Sequence, residues 1–264
     1  MIRLTDLHVT FNRGTAMETR ALRGVTLNIK KGDFVCVIGG NGAGKSTVLN
    51  ALCGDIIPER GKISIDNQDV TTLMSWQRAP YVARVFQDPL AGTCANLTIE
   101  ENMALAMGRG KKRTLKFSLN KELREKFRVH LSRLKLGLEN RLQDPIGLLS
   151  GGQRQAVSLI MAVLEPMKIL VLDEHTAALD PKIAAFILDL TREIVAENQL
   201  TALMVTHSMH QALDLGNRTI MLYEGRVVFD VRDEERKGLT VPDLLNLFHK
   251  ASGLELDDDS LLLS

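Results

Sequence analysis

Apolar and polar residues alternate through residues 1–31, in Leu4-Thr5-Asp6-Leu7-His8-Val9-Thr10-Phe11 and again in Leu22-Arg23-Gly24-Val25-Thr26-Leu27-Asn28-Ile29. A period of two puts every second side chain on one face, so two half-exposed antiparallel strands are expected there. Phe34-Val35-Cys36-Val37-Ile38 is apolar without alternation, as in a strand covered on both faces. Further strands are expected at 62–66 and 82–86. Thr98-Ile99-Glu100-Glu101 has the residues of a capped helix start, and the helix should run to about Met107. A second helix is expected from Leu119 to about Leu136, where Leu123, Phe127, Leu131 and Leu134 recur at helical spacing. After residue 165, strand and helix take turns. Lys168–Leu172 is apolar, and Pro181–Glu197 carries Ile183, Phe186, Ile187, Leu190 and Ile194 on one helical face. Thr201–Thr206 reads as a strand and Ser208–Leu215 as a helix. Arg218–Tyr223 and Arg226–Val231 read as a hairpin turning at Glu224-Gly225. Thr240-Val241-Pro242-Asp243 caps one last helix. This alternation predicts an α/β fold with a parallel sheet covered by helices. An antiparallel β subdomain precedes it, and a mostly helical subdomain is inserted at about 91–164.

Between the apolar strand 34–38 and a helix beginning near residue 45 lies Gly39-Gly40-Asn41-Gly42-Ala43-Gly44-Lys45-Ser46-Thr47. It fits G-x-x-x-x-G-K-[ST], a phosphate-binding loop, and sits in the strand–loop–helix context that motif requires. Glycines let the backbone curl so that successive N–H groups point inward, and the helix N-terminus adds its dipole. Lys45 can reach the β- and γ-phosphates, and the Ser46 hydroxyl can ligate Mg²⁺. A second element is Lys168-Ile169-Leu170-Val171-Leu172-Asp173-Glu174, an apolar strand ending in two acids. Ligands bind at carboxyl ends of such strands, so Asp173 is assigned to Mg²⁺ and Glu174 to general-base activation of water. Leu149-Ser150-Gly151-Gly152-Gln153 is a third. Ser150 can cap a helix with Gln153 three residues on, giving a second phosphate-accepting helix N-terminus. Taken alone it would be an ordinary capped helix. Two such sites far apart in sequence invite a two-fold dimer in which one protomer's loop faces its partner's glycines.

Composition narrows the reading. The chain has 264 residues, 45% hydrophobic and 25% charged, typical of a soluble globular protein. A net charge of +1 argues against a general nucleic-acid partner. No apolar run approaches the roughly 20 residues needed to span a bilayer, and Met1–Asp6 has no secretion-signal pattern. Cys36, Cys53 and Cys94 are odd in number and lack metal-ligand spacing, which fits a reducing compartment. Asp257-Asp258-Asp259 opens an acidic segment, so residues 251–264 are expected to form a disordered tail after a single domain at 1–250.

The loop, the Leu149–Gln153 signature, and Asp173-Glu174 followed by Ala178-Leu179-Asp180 resemble the ATP-binding subunit of an ATP-binding-cassette transporter. The resemblance covers residues 1 to about 231, and the signature is highly specific to that family. It implies a P-loop NTPase core that binds ATP and Mg²⁺ and hydrolyses ATP. It further implies that Gln87 touches Mg²⁺ and the water, that His207 contacts the γ-phosphate, and that Phe11 stacks on adenine. Asp180 joins the nucleotide-site residues on the same ground. Two subunits would meet head to tail, as a homodimer or with a related ATPase, with ATP between the loop of one and Ser150–Gln153 of the other. The expected partners are membrane permease subunits and a periplasmic or lipoprotein substrate-binding protein, with the chain peripheral on the cytoplasmic face of the membrane.

Departures exist. His175 replaces the proline usual after the paired acids, and Gln155-Ala156-Val157-Ser158-Leu159-Ile160-Met161 lacks the usual arginines. Every phosphate-contacting position is intact. These changes resemble bacterial amino-acid-type importers, and the basic stretch Arg109–Arg113 is similar to the branched-chain amino-acid group. An exporter or lipid-transport ATPase would share every motif. A soluble member acting in translation or DNA repair would usually carry two cassettes or a long coiled-coil insertion, and neither occurs here. A dinucleotide-binding dehydrogenase is excluded by the G-K-S ending and by the lack of an acid on a second parallel strand.

Overall fold

A computed structural model describes residues 1–111 and 119–252. The chain forms two compact units, one from Met1–Arg78 with the chain from Asn198 onward, the other from Ala79–Glu197. The first unit opens with β1 (Ile2–Phe11) and β2 (Thr19–Ile29), antiparallel, with Ile2 opposite Ile29 and Phe11 opposite Thr19. Their alternation does what a period of two requires. Ile2, Leu4, Leu7 and Val9 are buried, while the polar residues between them face outward or are half-buried. Next come β3 (Phe34–Ile38), buried along its whole length, and α1 (Lys45–Cys53). β4 (Arg60–Ile65), β5 (Gln68–Asp69) and the one-turn α2 (Ser75–Arg78) follow, giving an antiparallel sheet in the order β2-β1-β4-β5.

The second unit contains β6 (Val82–Val85), α3 (Ile99–Met107), α4 (Lys121–Ser132), α5 (Gly151–Val163), β7 (Ile169–Asp173) and α6 (Pro181–Glu197). Two short 3₁₀ turns, Leu138–Asn140 and Ile146–Leu148, lead into α5. β6 and β7 are parallel, with Val82 opposite Ile169 and Val85 opposite Leu172. The chain then returns to the first unit as β8 (Ala202–Val205), α7 (Met209–Asp214), β9 (Arg218–Tyr223), β10 (Arg226–Arg232), α8 (Asp233–Arg236) and α9 (Val241–Ser252). There β3 lies between β8 and β9 and runs parallel to both, and β10 pairs antiparallel with β9. The apolar run 34–38 is thus a central strand, which is why it shows no alternation.

Capping chemistry sets several helix ends where the sequence indicated. Thr98 and Glu101 form a reciprocal capping box at α3. Helix α4 is shorter than its apolar spacing implied. It ends at Ser132, and the left-handed backbone at Lys135 (φ 54°) and Gly137 (φ 72°) turns the chain away, although Leu134 remains buried. Fully buried Arg78 closes the far end of α1, donating to Ala51 O at 2.6 Å and Leu52 O at 2.9 Å, two of the carbonyls a helix C-terminus leaves unpaired. Arg109 donates at 2.8 Å to Ala162 O in the last turn of α5 and to Glu165 O just beyond that helix, so the first arginine of the basic stretch has a structural task. Lys112 and Arg113, and the acidic tail from residue 253, lie outside the described residues.

Candidate functional site

In the first unit β3 delivers the glycine loop to the carboxyl edge of its sheet. Gly39 (φ 148°) and Gly44 (φ 102°) adopt backbone conformations that other residues rarely take. They also allow close approach. A Cβ on Gly39 would lie 2.3 Å from Leu222 O, and one on Gly44 would lie 2.7 Å from Ala21 O. Helix α1 begins at Lys45 with Gly44 as its N-cap and no side-chain cap, so no side chain takes up its first amides. Lys45 is only 6% exposed and its Nζ donates to Gly39 O at 2.7 Å and Gly40 O at 3.1 Å. The ammonium is therefore held over the loop by the loop's own carbonyls. Asn41, Gly42 and Ser46 are exposed, Thr47 is half-buried, and Ala43 is buried, with its carbonyl accepting from Gly225 N at 3.1 Å.

His207 reaches the same edge through strand register. Val205 on β8 pairs with Val37 on β3, and Thr206 N donates to Val37 O at 3.2 Å, so His207 and Gly39 leave adjacent strands side by side. Gln211 fixes both flanks of His207. Its amide oxygen accepts from Thr206 Oγ1 at 2.7 Å and its N–H donates to the Ser208 cap at 3.2 Å. Phe11, at the end of β1, is 40% exposed and so does not fill the core.

The second unit holds the carboxylates. Asp173 ends β7, and Glu174 follows with φ 43°, a left-handed conformation that costs a non-glycine residue about 1–2 kcal/mol. Gln87 is exposed two residues beyond β6, the strand paired with β7, so Gln87 and Glu174 emerge at neighbouring strand ends. Asp173 Oδ2 accepts from an Arg84 guanidinium nitrogen at 2.5 Å. The segments bearing Gln87 and Glu174 are tied together by a residue to which the sequence assigned no role. Fully buried Gln155 on α5 donates through Nε2 to Phe86 O at 3.0 Å and His175 O at 2.8 Å. The signal for it was a polar residue on the inner face of a helix otherwise rich in apolar side chains.

The signature forms the capping box its residues implied. Ser150 Oγ accepts from Gln153 N at 3.3 Å, and Gln153 Oε1 accepts from Ser150 N at 3.1 Å. Its two glycines are not equivalent. A Cβ on Gly151 would meet only Leu179 Cδ2 at 3.8 Å, an ordinary contact, whereas one on Gly152 would strike Ile183 Cγ2 at 2.3 Å. Gly152 is thus required by packing against α6, and Gly151 leaves its approach open. Asp180 is occupied as the cap of α6, its Oδ1 accepting from Ile183 N at 3.1 Å.

His175, at the position of the family's usual proline, is buried, with Nε2 3.0 Å from Thr191 Oγ1. Thr191 donates its own proton to Ile187 O at 2.7 Å, so the imidazole carries its hydrogen on Nε2 and donates. Burial lowers its pKa from 6.5 to about 4. The unfolded chain takes up a proton as pH falls through 6.5, and the folded chain does so only near 4, so stability is lost across that window as pH falls. The loss attributable to His175 approaches about 3 kcal/mol. A His175→Gln variant keeps a donor toward Thr191 and cannot titrate. Urea unfolding of both proteins at pH 7 and pH 4.5 should show a smaller acid loss in the variant, and equal losses would remove His175 from the acid response.

The donors assigned to a metal are the Ser46 hydroxyl, the Gln87 amide oxygen and the Asp173 carboxylate, hard oxygens suited to Mg²⁺. Among the described residues no group of three or more His, Cys, Asp or Glu could cage a metal. Also among the described residues, no helix is long and apolar enough to cross a membrane.

The family model described as "ABC transporter" matches residues 22–177. The tyrosine transport ATP-binding protein of Clostridioides difficile is 42% identical over 95% of this chain and 100% of its own length. The thiamine import ATP-binding protein ThiQ of Shigella boydii is 32% identical over 89% of this chain and 93% of that protein. The methionine import ATP-binding protein MetN of Streptococcus agalactiae is 33% identical over 91% of this chain and 68% of that protein. Among solved structures, the dimeric post-hydrolysis state of the ATP-binding cassette MJ0796 bound to ADP and Pi superposes with a TM-score of 0.74. It is 30% identical, over 88% of this chain and 98% of that chain. The ADP conformation of the cassette MJ1267 gives a TM-score of 0.76 at 26% identity over 94% of this chain and 98% of that one.

Proposed function

Because the chain belongs to the ABC transporter family and is an ATPase subunit of its importer type, we propose that it works as a pair of protomers that close head to tail on Mg²⁺-ATP. In this reading the loop amides and Lys45 hold the β- and γ-phosphates, and Ser46, Gln87 and Asp173 hold Mg²⁺. Glu174 takes a proton from the attacking water, His207 contacts the γ-phosphate, and Phe11 stacks on the base. Asp180 completes the nucleotide-site set. Ser150–Gln153 of the partner protomer covers the phosphates with a capped helix N-terminus. Closure and opening of the pair then drive a separate membrane permease, with the chain on the cytoplasmic face and a substrate-binding protein on the other side. The cargo is an amino acid or a similar small solute, in keeping with the tyrosine transport protein as a relative.

The observation that carries the reading is the loop itself. It brings together glycines in left-handed conformations, a nearly buried lysine and a helix start with no side-chain cap, the features that support phosphate binding there. The chain supplies its own handle for a test. Cys36 and Cys53 are buried and Cys94 is exposed, so a thiol-directed crosslinker reports the surface near Gln87. Co-purified with its permease, the protein should crosslink through Cys94 to a membrane polypeptide. Exposed Ala91→Arg should leave basal ATPase nearly unchanged while abolishing stimulation by the permease. Crosslinks to ribosomal or DNA-repair proteins in place of a permease would overturn the transport reading.

A further inference from the structure

Strand β6 is Val82-Ala83-Arg84-Val85, with Val82, Ala83 and Val85 buried. An arginine inside so short an apolar strand needs a reason, since charged side chains are seldom covered unless paired. Arg84 pairs in register with Val171 on β7, and Asp173 is two residues further along the same strand face. The guanidinium donates to Asp173 Oδ2 at 2.5 Å, and the two side chains are only 14% and 13% exposed. Phe86, two residues on from Arg84 and just past the end of β6, presents its ring centroid 4.7 Å from the guanidinium carbon. A cation is thereby held on the carboxylate assigned to the metal by a charge-assisted bond on one side and an aromatic face on the other.

We propose that Arg84 is the resident counter-ion of Asp173, holding the carboxylate in place before the metal arrives and opposing the metal's charge once it has arrived, so that Arg84 sets how tightly the site takes its divalent ion. The proposal rests on the reading that Asp173 ligates Mg²⁺. A carboxylate that already faces a fixed positive charge attracts a second cation less strongly, and the guanidinium repels the ion itself. Arg84 is a positioning residue in this scheme and touches neither nucleotide nor metal.

The test is binding of Mn²⁺, a spectroscopic substitute for Mg²⁺, measured by the loss of free-ion EPR signal in ADP-saturated protein. Arg84→Gln should bind Mn²⁺ more tightly than the unaltered chain, by on the order of tenfold. Mere structural damage would weaken binding, so the sign of the change separates the two. Arg84→Lys keeps the charge without the planar stack, and should stay near the unaltered affinity. Asp173→Asn should weaken binding. In nucleotide- and metal-free protein, urea unfolding of Arg84→Gln, Asp173→Asn and the double variant should be non-additive, the second change costing less in the presence of the first. If Asp173→Asn weakens Mn²⁺ binding and Arg84→Gln leaves it unchanged or weaker, the role of Arg84 is refuted while that of Asp173 stands. If Asp173→Asn leaves Mn²⁺ binding at its unaltered strength, the metal assignment itself falls, and the proposal with it.

Discussion

Glu174→Gln is expected to lower ATP turnover by about 10²- to 10⁴-fold while leaving nucleotide affinity close to that of the unaltered chain. The amide fills the space of the carboxylate but cannot accept the proton of the attacking water. The backbone gives no reason for a second effect, because glutamine meets the same left-handed requirement at φ 43° that glutamate does. The segment on either side is also held independently, by Asp173 in β7 and by the His175 carbonyl accepting from Gln155. With hydrolysis blocked and binding intact, the paired state should accumulate on addition of Mg²⁺-ATP. Phosphate release, titration with a fluorescent ATP analogue and light scattering measure the three quantities. Turnover within a few-fold of normal would remove Glu174 as the base. Lost binding together with lost turnover would mean that the substitution had disturbed the fold.

Lys45→Ala should weaken nucleotide binding by about 10- to 100-fold, the range given by losing a hydrogen bond to a charged group. Lys45 bonds the loop carbonyls of Gly39 and Gly40, and the same Nζ can swing to a phosphate because both partners lie on the loop that would surround it. Removing it would therefore delete both the charge proposed to face the phosphates and a tie within the loop. Lys45→Arg separates these effects. A guanidinium can satisfy the carbonyls, yet it is bulkier and does not present a compact charge at the same point. Thermal melting without nucleotide should fall more for Ala than for Arg, while fluorescent nucleotide binding should fall for both. Unchanged affinity in Lys45→Ala would exclude Lys45 from phosphate binding.

The elements that were legible in the sequence are those whose determinants are local. Alternation in 1–31, the unbroken apolar run of 34–38, and the boxes Thr98/Glu101 and Ser150/Gln153 each concern residues within a few positions of one another. Those readings match the observed strands and caps. The glycine loop could be read because its spacing encodes its backbone path. What remained hidden depends on partners distant along the chain. Arg84 and Asp173 are 89 residues apart, and Gln155 lies 69 residues from Phe86 and 20 from His175. Nothing in Ser150-Gly151-Gly152 distinguishes its two glycines until Ile183 is brought against one of them. The early end of α4 escaped notice for a related reason. Leu134 is buried as its spacing predicted, but from a turn rather than from a helix.

The left-handed backbone at Glu174 sets a conflict between durability and activity. At that one position the side chain that would perform the chemistry sits on a residue that takes up the conformation only at a cost, and glycine, which suits it best, has no chemistry to offer. A population of variants selected for heat resistance alone would therefore be drawn toward inert proteins through this site. If Glu174 is the base proposed above, any effort to harden this ATPase has to hold residue 174 fixed and seek its gains elsewhere.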